Sequence, residues 1–72
     1  MDVSERITFL RRERLLSQKR LAEMCDLTEI SIQNYESGRR KPSYDALISL
    51  ADAFNVSLDY LAGRTDNPEI NR

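Results

Sequence analysis

The sequence predicts an all-α fold of five short helices packed around one small core. Apolar residues recur at the three- and four-residue spacing of amphipathic helices, and a capping serine, threonine or aspartate precedes each helical stretch. No stretch has the two-residue alternation that is typical of a β-strand. With 72 residues, of which 40% are hydrophobic and 32% charged, the chain is one small globular domain.

The first two helices each begin at a residue that caps a helix N-terminus. Asp2, with Glu5 three residues later, is an aspartate variant of the capping box, and helix 1 is predicted over about residues 3–14. Ser17 caps helix 2. Phe9 lies off the apolar face of helix 1, so we expect it to pack against a neighbouring helix or to contact a partner subunit. The residues that share the predicted buried faces are Val3, Ile7, Leu10, Arg14, Leu21, Ala22 and Cys25.

Helix 3 is predicted between Thr28, a good N-cap, and Gly38, which suits the left-handed residue that closes a helix. Successive residues turn by about 100°, which places the large apolar side chains Ile32 and Tyr35 on the inward face. Amide side chains on the opposite face both donate and accept hydrogen bonds, and this suits them to reading base edges in a DNA major groove. An ordinary solvated surface is the alternative, and this helix alone does not decide between the two. The outward residues are Glu29, Ile30, Gln33, Asn34 and Ser37.

Helices 4 and 5 follow the caps Ser43 and Ser57. Helix 4 ends at Asn55, and helix 5 is short and stops at Gly63. Their apolar residues are Leu47, Leu50, Ala51 and Phe54 on helix 4, and Leu58, Leu61 and Ala62 on helix 5. We assign residues 1–63 to the domain and expect residues 64–72, which contain little that is apolar, to be a loose tail or the start of a linker.

Composition argues against several classes of function. The chain has no histidine and a single cysteine, so it forms no intramolecular disulfide and offers neither a zinc site nor a histidine-based catalytic triad. A core this small leaves little room for a substrate pocket, and we expect neither an enzyme nor a cofactor. Cys25 is interpreted as a small core hydrophobe rather than a reactive thiol. Because no apolar run approaches the roughly 18 residues of a membrane span and no signal peptide is evident, we expect a cytoplasmic protein.

The net charge of −1 is unevenly distributed along the chain. Residues 1–41 carry nine basic and seven acidic side chains, whereas residues 42–72 carry two and five. Lys19 and Arg20 lie in the first turn of helix 2, where the helix dipole disfavours cations, and a nearby phosphate would relieve that conflict. Arg39-Arg40-Lys41 follow helix 3 directly. A local basic surface of this kind matters more for phosphate binding than the total charge does.

Helix 2, a three-residue turn and helix 3 form a helix-turn-helix. Within and after it come Ser17-Gln18, Leu21-Ala22, Ile32, Tyr35-Glu36, Gly38, Lys41-Pro42-Ser43 and residues 56–66. With these residues in this order and spacing, the chain resembles the Cro/phage-repressor (XRE) helix-turn-helix family over about residues 3–66. The resemblance implies a lambda-repressor-like fold and a sequence-specific transcription regulator, usually a repressor that binds a palindromic operator in double-stranded DNA as a homodimer.

The resemblance also implies roles for individual residues. The base-contacting positions of the family match Glu29, Ile30, Gln33 and Asn34. The phosphate contacts are expected from Gln18, Lys19, Thr28, Ser31, Arg39, Arg40 and Lys41. Arg11 and Glu36 match an ion pair that joins helix 1 to helix 3; separately, Glu36 lies in the last turn of a helix, where an anion needs a cation partner. The acidic C-terminal half should face a partner subunit through Leu58 and Leu61, with Phe9 as a further contributor.

The chain departs from the family at three places. The family often has glycine at the positions of Leu15 and Asp26, and commonly has acidic residues at those of Lys19 and Arg20. Leu15 is not expected to adopt the left-handed conformation comfortably, so helix 1 is expected to end differently or to run longer. The rival interpretation of the function is a protein-interaction module, such as an antitoxin. The sequence shows no obvious toxin-binding extension, and we therefore favour the DNA-binding interpretation.

Overall fold

The structure is a computed structural model that describes residues 1–70, and these residues form five helices and no strand. The helices are α1 (Val3–Glu13), α2 (Gln18–Cys25), α3 (Glu29–Ser37), α4 (Tyr44–Phe54) and α5 (Leu58–Leu61). The all-α prediction is therefore confirmed. Across the described residues, no helix combines the length and the apolar character that crossing a bilayer requires.

Each helix begins at the predicted capping residue. The Asp2 carboxylate accepts a hydrogen bond from the Glu5 backbone N–H at 2.9 Å, and the Glu5 carboxylate accepts one from the Asp2 backbone N–H at 3.3 Å. The other four helices use a single hydroxyl that accepts from the backbone N–H three residues later. These caps are Ser17, Thr28, Ser43 and Ser57. Each such cap stabilises its helix by about 1 kcal/mol, which matters for helices this short.

The core receives buried side chains from all five helices. Burying each of the larger ones stabilises the fold by roughly 1.5–3 kcal/mol. The largest fully buried side chains are Ile7, Leu10, Leu21, Ile32, Leu50, Phe54 and Leu61. Cys25 is also buried; its thiol donates to the Ser49 carbonyl oxygen at 3.7 Å, and burial raises the pKa of the thiol from 9.0 to about 11. The interpretation of Cys25 as a core residue is confirmed.

The end of α1 differs from expectation. Leu15 does adopt the left-handed conformation, with φ of 57°, and α1 ends at Glu13 with Arg14 as its C-cap. The Leu16 N–H donates to the Arg11 carbonyl oxygen and the Leu15 N–H to the Arg12 carbonyl oxygen, both at 3.0 Å. A left-handed leucine costs about 1–2 kcal/mol. These closing hydrogen bonds, and the packing of Leu16 against the core, offset that cost.

Arg6 of α1 and Arg14, the C-cap of α1, have long-range contacts that the sequence did not indicate. Arg14 is not part of the buried face: its guanidinium donates to the Phe54 carbonyl oxygen at 2.7 Å, where the C-terminal end of α4 favours a cation. Arg6 is only 4% exposed. Its guanidinium carbon lies 3.9 Å from the centroid of the Tyr60 ring, and its Nη2 lies 3.6 Å from the Asp66 carboxylate. Both arginines join α1 to the C-terminal part of the fold.

Residues 64–70 fold back onto the domain, so the prediction of a loose tail is wrong for them. The Pro68 carbonyl oxygen accepts from the Ser57 N–H at 3.0 Å, and the Arg64 N–H donates to the Asp59 carbonyl oxygen at 2.8 Å. Gly63 has a φ of +82°, and a Cβ there would clash with the Met1 carbonyl oxygen, so this close approach requires glycine. The rest of the predicted tail, residues 71–72, lies outside the described residues.

Candidate nucleic-acid interface

The helix-turn-helix is held together by its turn and by the core beneath it. α2 ends at Cys25 with Asp26 as its left-handed C-cap, which has a φ of 56°, and the Leu27 N–H donates to the Ala22 carbonyl oxygen at 2.9 Å. Aspartate tolerates the left-handed conformation better than most residues, so glycine is not needed here. Leu27 packs against the core, as predicted. The angle between α2 and α3 is therefore fixed by packing and not by a flexible loop.

α3 presents the predicted face outward. Ile32 is fully buried and Tyr35 is 9% exposed, whereas Ile30 is 67% exposed. Glu29 and Gln33 are exposed as well, and Asn34 is half-buried at the edge of the same face. Ile30, which lies close to the Glu29 carboxylate and the Gln33 amide on this face, is an apolar group that stands outside the core formed by the described residues. The predicted orientation is confirmed, and the roles of these side chains toward bases stay predictions.

The predicted ion pair between Arg11 and Glu36 is confirmed. The Arg11 Nε donates to the Glu36 Oε2 at 2.7 Å and the Nη2 donates to Oε1 at 3.1 Å, which is the paired geometry that a guanidinium and a carboxylate form best. The side chains are only 14% and 8% exposed. The third arm of the guanidinium, Nη1, donates to the Leu16 carbonyl oxygen at 2.9 Å. Arg11 thus fixes the last turn of α3 and the chain that enters α2.

Gln18, the first residue of α2, belongs to the same network. Its side-chain Nε2 donates to the Glu36 Oε1 at 3.2 Å. The start of α2 therefore lies beside the last turn of α3. The sequence predicted Gln18 only as a DNA contact; its hydrogen bond to Glu36 joins residues 18 positions apart and had no local signal.

Five exposed cations lie around this junction. Gly38, with φ of 79°, turns the chain out of α3, and the Arg40 N–H donates to the Asn34 carbonyl oxygen at 3.2 Å, which holds the following loop against α3. Across residues 1–70, none of the five has a carboxylate within 4.0 Å. They are Lys19, Arg20, Arg39, Arg40 and Lys41. Unpaired cations beside the last turn of an exposed polar helix suit a polyanion such as a nucleic-acid backbone.

Thr28 and Ser31 are partly used within the protein. The Thr28 hydroxyl accepts from the Ser31 backbone N–H at 3.1 Å, and the two hydroxyl oxygens lie 2.8 Å apart. One of the two hydroxyl groups donates its hydrogen to the other, so the hydrogen of the second hydroxyl remains free to donate to another group. Their predicted phosphate contacts remain predictions.

The predicted dimer residues fall into two groups. Leu61 is completely buried in the core of its own chain, so the prediction that it contacts a partner is wrong. Leu58 and Phe9 are 39% and 41% exposed and lie in separate surface grooves. Leu58 shares its groove with Ile48 and Ile70.

The fold and the outward face of α3 define a helix-turn-helix domain. The helix-turn-helix family profile matches residues 7–61. The chain belongs to the Cro/phage-repressor (XRE) type of this family of DNA-binding transcriptional regulators. The proteins of this family are DNA-binding transcriptional regulators, a non-enzymatic class, as the sequence predicted for this domain.

Two relatives and one solved structure illustrate the similarity. The chain is 37% identical over 65 residues to the uncharacterized HTH-type transcriptional regulator YobD of Bacillus subtilis, covering 90% of this chain and 58% of YobD. It is 33% identical over 64 residues to the cryptic phage CTXphi transcriptional repressor RstR of Vibrio cholerae, covering 89% of this chain and 57% of RstR. The chain thus spans little more than half the length of these relatives.

The solved structure is the P22 c2 repressor in complex with a synthetic operator. It superposes with a TM-score of 0.85 at 26% identity, covering 90% of this chain and 98% of the repressor chain. The similarity confirms the predicted lambda-repressor-like fold class.

Proposed function

We propose that this chain is the DNA-binding domain of a repressor that recognises a palindromic operator as a homodimer in the cytoplasm. The observation that carries the proposal is the exposed face of α3 with unpaired cations beside its last turn. The name of RstR and the operator bound to the P22 c2 repressor support the same conclusion. Lysine and arginine would supply most of the affinity by neutralising phosphates, while α3 selects the sequence.

The four outward side chains of α3 differ in what they can recognise. Asn34 and Gln33 can each pair with the N6/N7 edge of adenine through two hydrogen bonds, and Ile30 can cover a thymine methyl group. Glu29 can accept from the N4 amino group of cytosine. A carboxylate near DNA is otherwise repelled, so Glu29 can also act by rejecting wrong sites.

A gel-shift assay with fragments of the source genome tests the proposal. In the presence of excess non-specific DNA, the chain should retain one or a few fragments. Equal binding of all the fragments would contradict sequence-specific recognition. No retention at low salt would instead favour a protein-interaction module.

Glu29→Gln should change the base preference and raise non-specific affinity, because it removes the charge and keeps the shape. Binding sites selected from a random duplex library by the wild type and by the variant show the difference. Glu23→Gln is the matched control, since Glu23 is an exposed glutamate on α2 and the same charge is lost. If the variant selects the same consensus as the wild type, Glu29 only stabilises α3, as an anion in the first turn of a helix does through the helix dipole.

Leu58→Asp should abolish dimerisation without unfolding the chain. Leu58 is the first residue of α5, where an acidic side chain is compatible with the helix dipole. Tyr44→Asp is the matched control, because Tyr44 is an exposed residue in the same position of α4, directly after a serine cap. Sedimentation should show a dimer for the wild type and the control and a monomer for Leu58→Asp. A wild type that is monomeric both free and on its operator would refute the dimer.

A further inference from the structure

We infer that Glu36 is a positioning residue for DNA binding: its carboxylate holds the Gln18 side-chain amide in its DNA-contacting orientation before DNA arrives. The inference rests on the proposed function, because it concerns the phosphate contact expected of Gln18. It assigns Glu36 a second role beside the ion pair with Arg11.

The chemistry of the contact fixes which end of the amide faces Glu36. A carboxylate only accepts hydrogen bonds, so the nitrogen of the Gln18 amide must face it and the amide oxygen cannot. The distance from Nε2 to Oε1 is 3.2 Å. The same Oε1 accepts from the Arg11 Nη2 at 3.1 Å, so both of its lone pairs are used. Arg11 therefore holds the carboxylate while the carboxylate holds the amide.

The remaining hydrogen of the Gln18 amide nitrogen is the group that can donate to a phosphate. Gln18 begins α2, whose N-terminus favours an anion, and the exposed cation Lys19 follows it. A free glutamine side chain loses rotamer entropy when a ligand immobilises it. Because Glu36 has already ordered Gln18, binding avoids that loss. Ordering one such side chain in advance is equivalent to about 2- to 10-fold in affinity.

Gln33 provides an internal reference, because the chain has only two glutamines. Gln33 is exposed on α3 and has no side-chain hydrogen bond within the described residues. In the free protein, ¹⁵N relaxation should therefore show an ordered side-chain amide for Gln18 and a mobile one for Gln33. Equal mobility of the two amides in the wild type would overturn the inference without any use of DNA.

A double-mutant cycle separates positioning from a merely structural contact. Replacing both Arg11 and Glu36 by Met removes the acceptor for Gln18, together with the donor to the Leu16 carbonyl oxygen, and leaves no buried charge, a change that is often neutral for stability. Circular dichroism first establishes that this background is folded. In the wild-type background, Gln18→Met should weaken DNA binding about 10-fold, as the loss of one charge-assisted hydrogen bond does.

In the Arg11→Met/Glu36→Met background, the loss on Gln18→Met should shrink by a factor of about 2 to 10. The control is Gln33→Met, which should lose the same factor in both backgrounds because Gln33 does not contact Glu36. If Gln18→Met weakened DNA binding by the same factor in the two backgrounds, the inference would be overturned and the proposed function would stand. A wild type that binds no DNA would overturn the proposed function as well, and the two failures are thus distinguishable.

Discussion

Arg11→Ala should lower the free energy of unfolding by about 3 kcal/mol, because it leaves the Glu36 carboxylate buried without its cation. The pair is well shielded, since the two side chains are 14% and 8% exposed. The substitution also removes the donor to the Leu16 carbonyl oxygen, which holds the chain entering α2. Urea denaturation followed by circular dichroism measures the loss.

Arg12→Ala is the matched control for this effect. Arg12 is the next residue of α1, carries the same charge and is exposed. Its substitution should change stability by well under about 1 kcal/mol. If Arg11→Ala and Arg12→Ala unfolded at the same denaturant concentration, the Arg11–Glu36 pair would be a solvated pair with no structural role.

Replacing Arg39, Arg40 and Lys41 together by Ala should weaken binding to every DNA sequence alike and flatten its dependence on salt. Each phosphate contact contributes about −0.9 to the slope of log affinity against log salt concentration, so losing three contacts should flatten the slope by about 2 to 3. The ranking of DNA sequences should stay unchanged, because these side chains contact the backbone. Fluorescence anisotropy across a salt series measures both quantities.

Arg64→Ala is the control for net charge. It removes one positive charge, as each of the substitutions at residues 39–41 does, but Arg64 lies in the segment after α5. There its Nη1 lies 3.9 Å from the Asp59 carboxylate. Its salt slope should equal that of the wild type. A triple variant with an unchanged slope would show that the loop after α3 is not a phosphate site.

The features predicted from the sequence are those set by neighbouring residues. A capping hydroxyl acts on the N–H three residues later, and the apolar period of a helix decides which face turns inward. The caps Thr28 and Ser43 and the buried Ile32 and Tyr35 follow from such local rules. The Arg11–Glu36 pair was predicted by the family resemblance together with the helix dipole, although 25 residues separate the two.

The features that the sequence did not predict depend on what a residue meets across the fold. Leu61 has the apolar spacing of a core residue and of an interface residue alike, and only the packing of α5 against α1 and α4 shows that it is buried. Arg6 carries a charge and is nevertheless buried beneath Tyr60. The folding back of residues 64–70 depends on Pro68 reaching Ser57, a contact without a local signal.

The central claim is that the exposed face of α3 reads DNA sequence, and selection from a random duplex library tests it most directly. The wild type should enrich one two-fold symmetric consensus, with half-sites about 34 Å apart, as two recognition helices in successive major grooves require. The Gln33→Ala/Asn34→Ala variant should still bind DNA at low salt through its cations and should lose that consensus. A wild type that enriches no consensus, or a variant that enriches the same one, would contradict the claim.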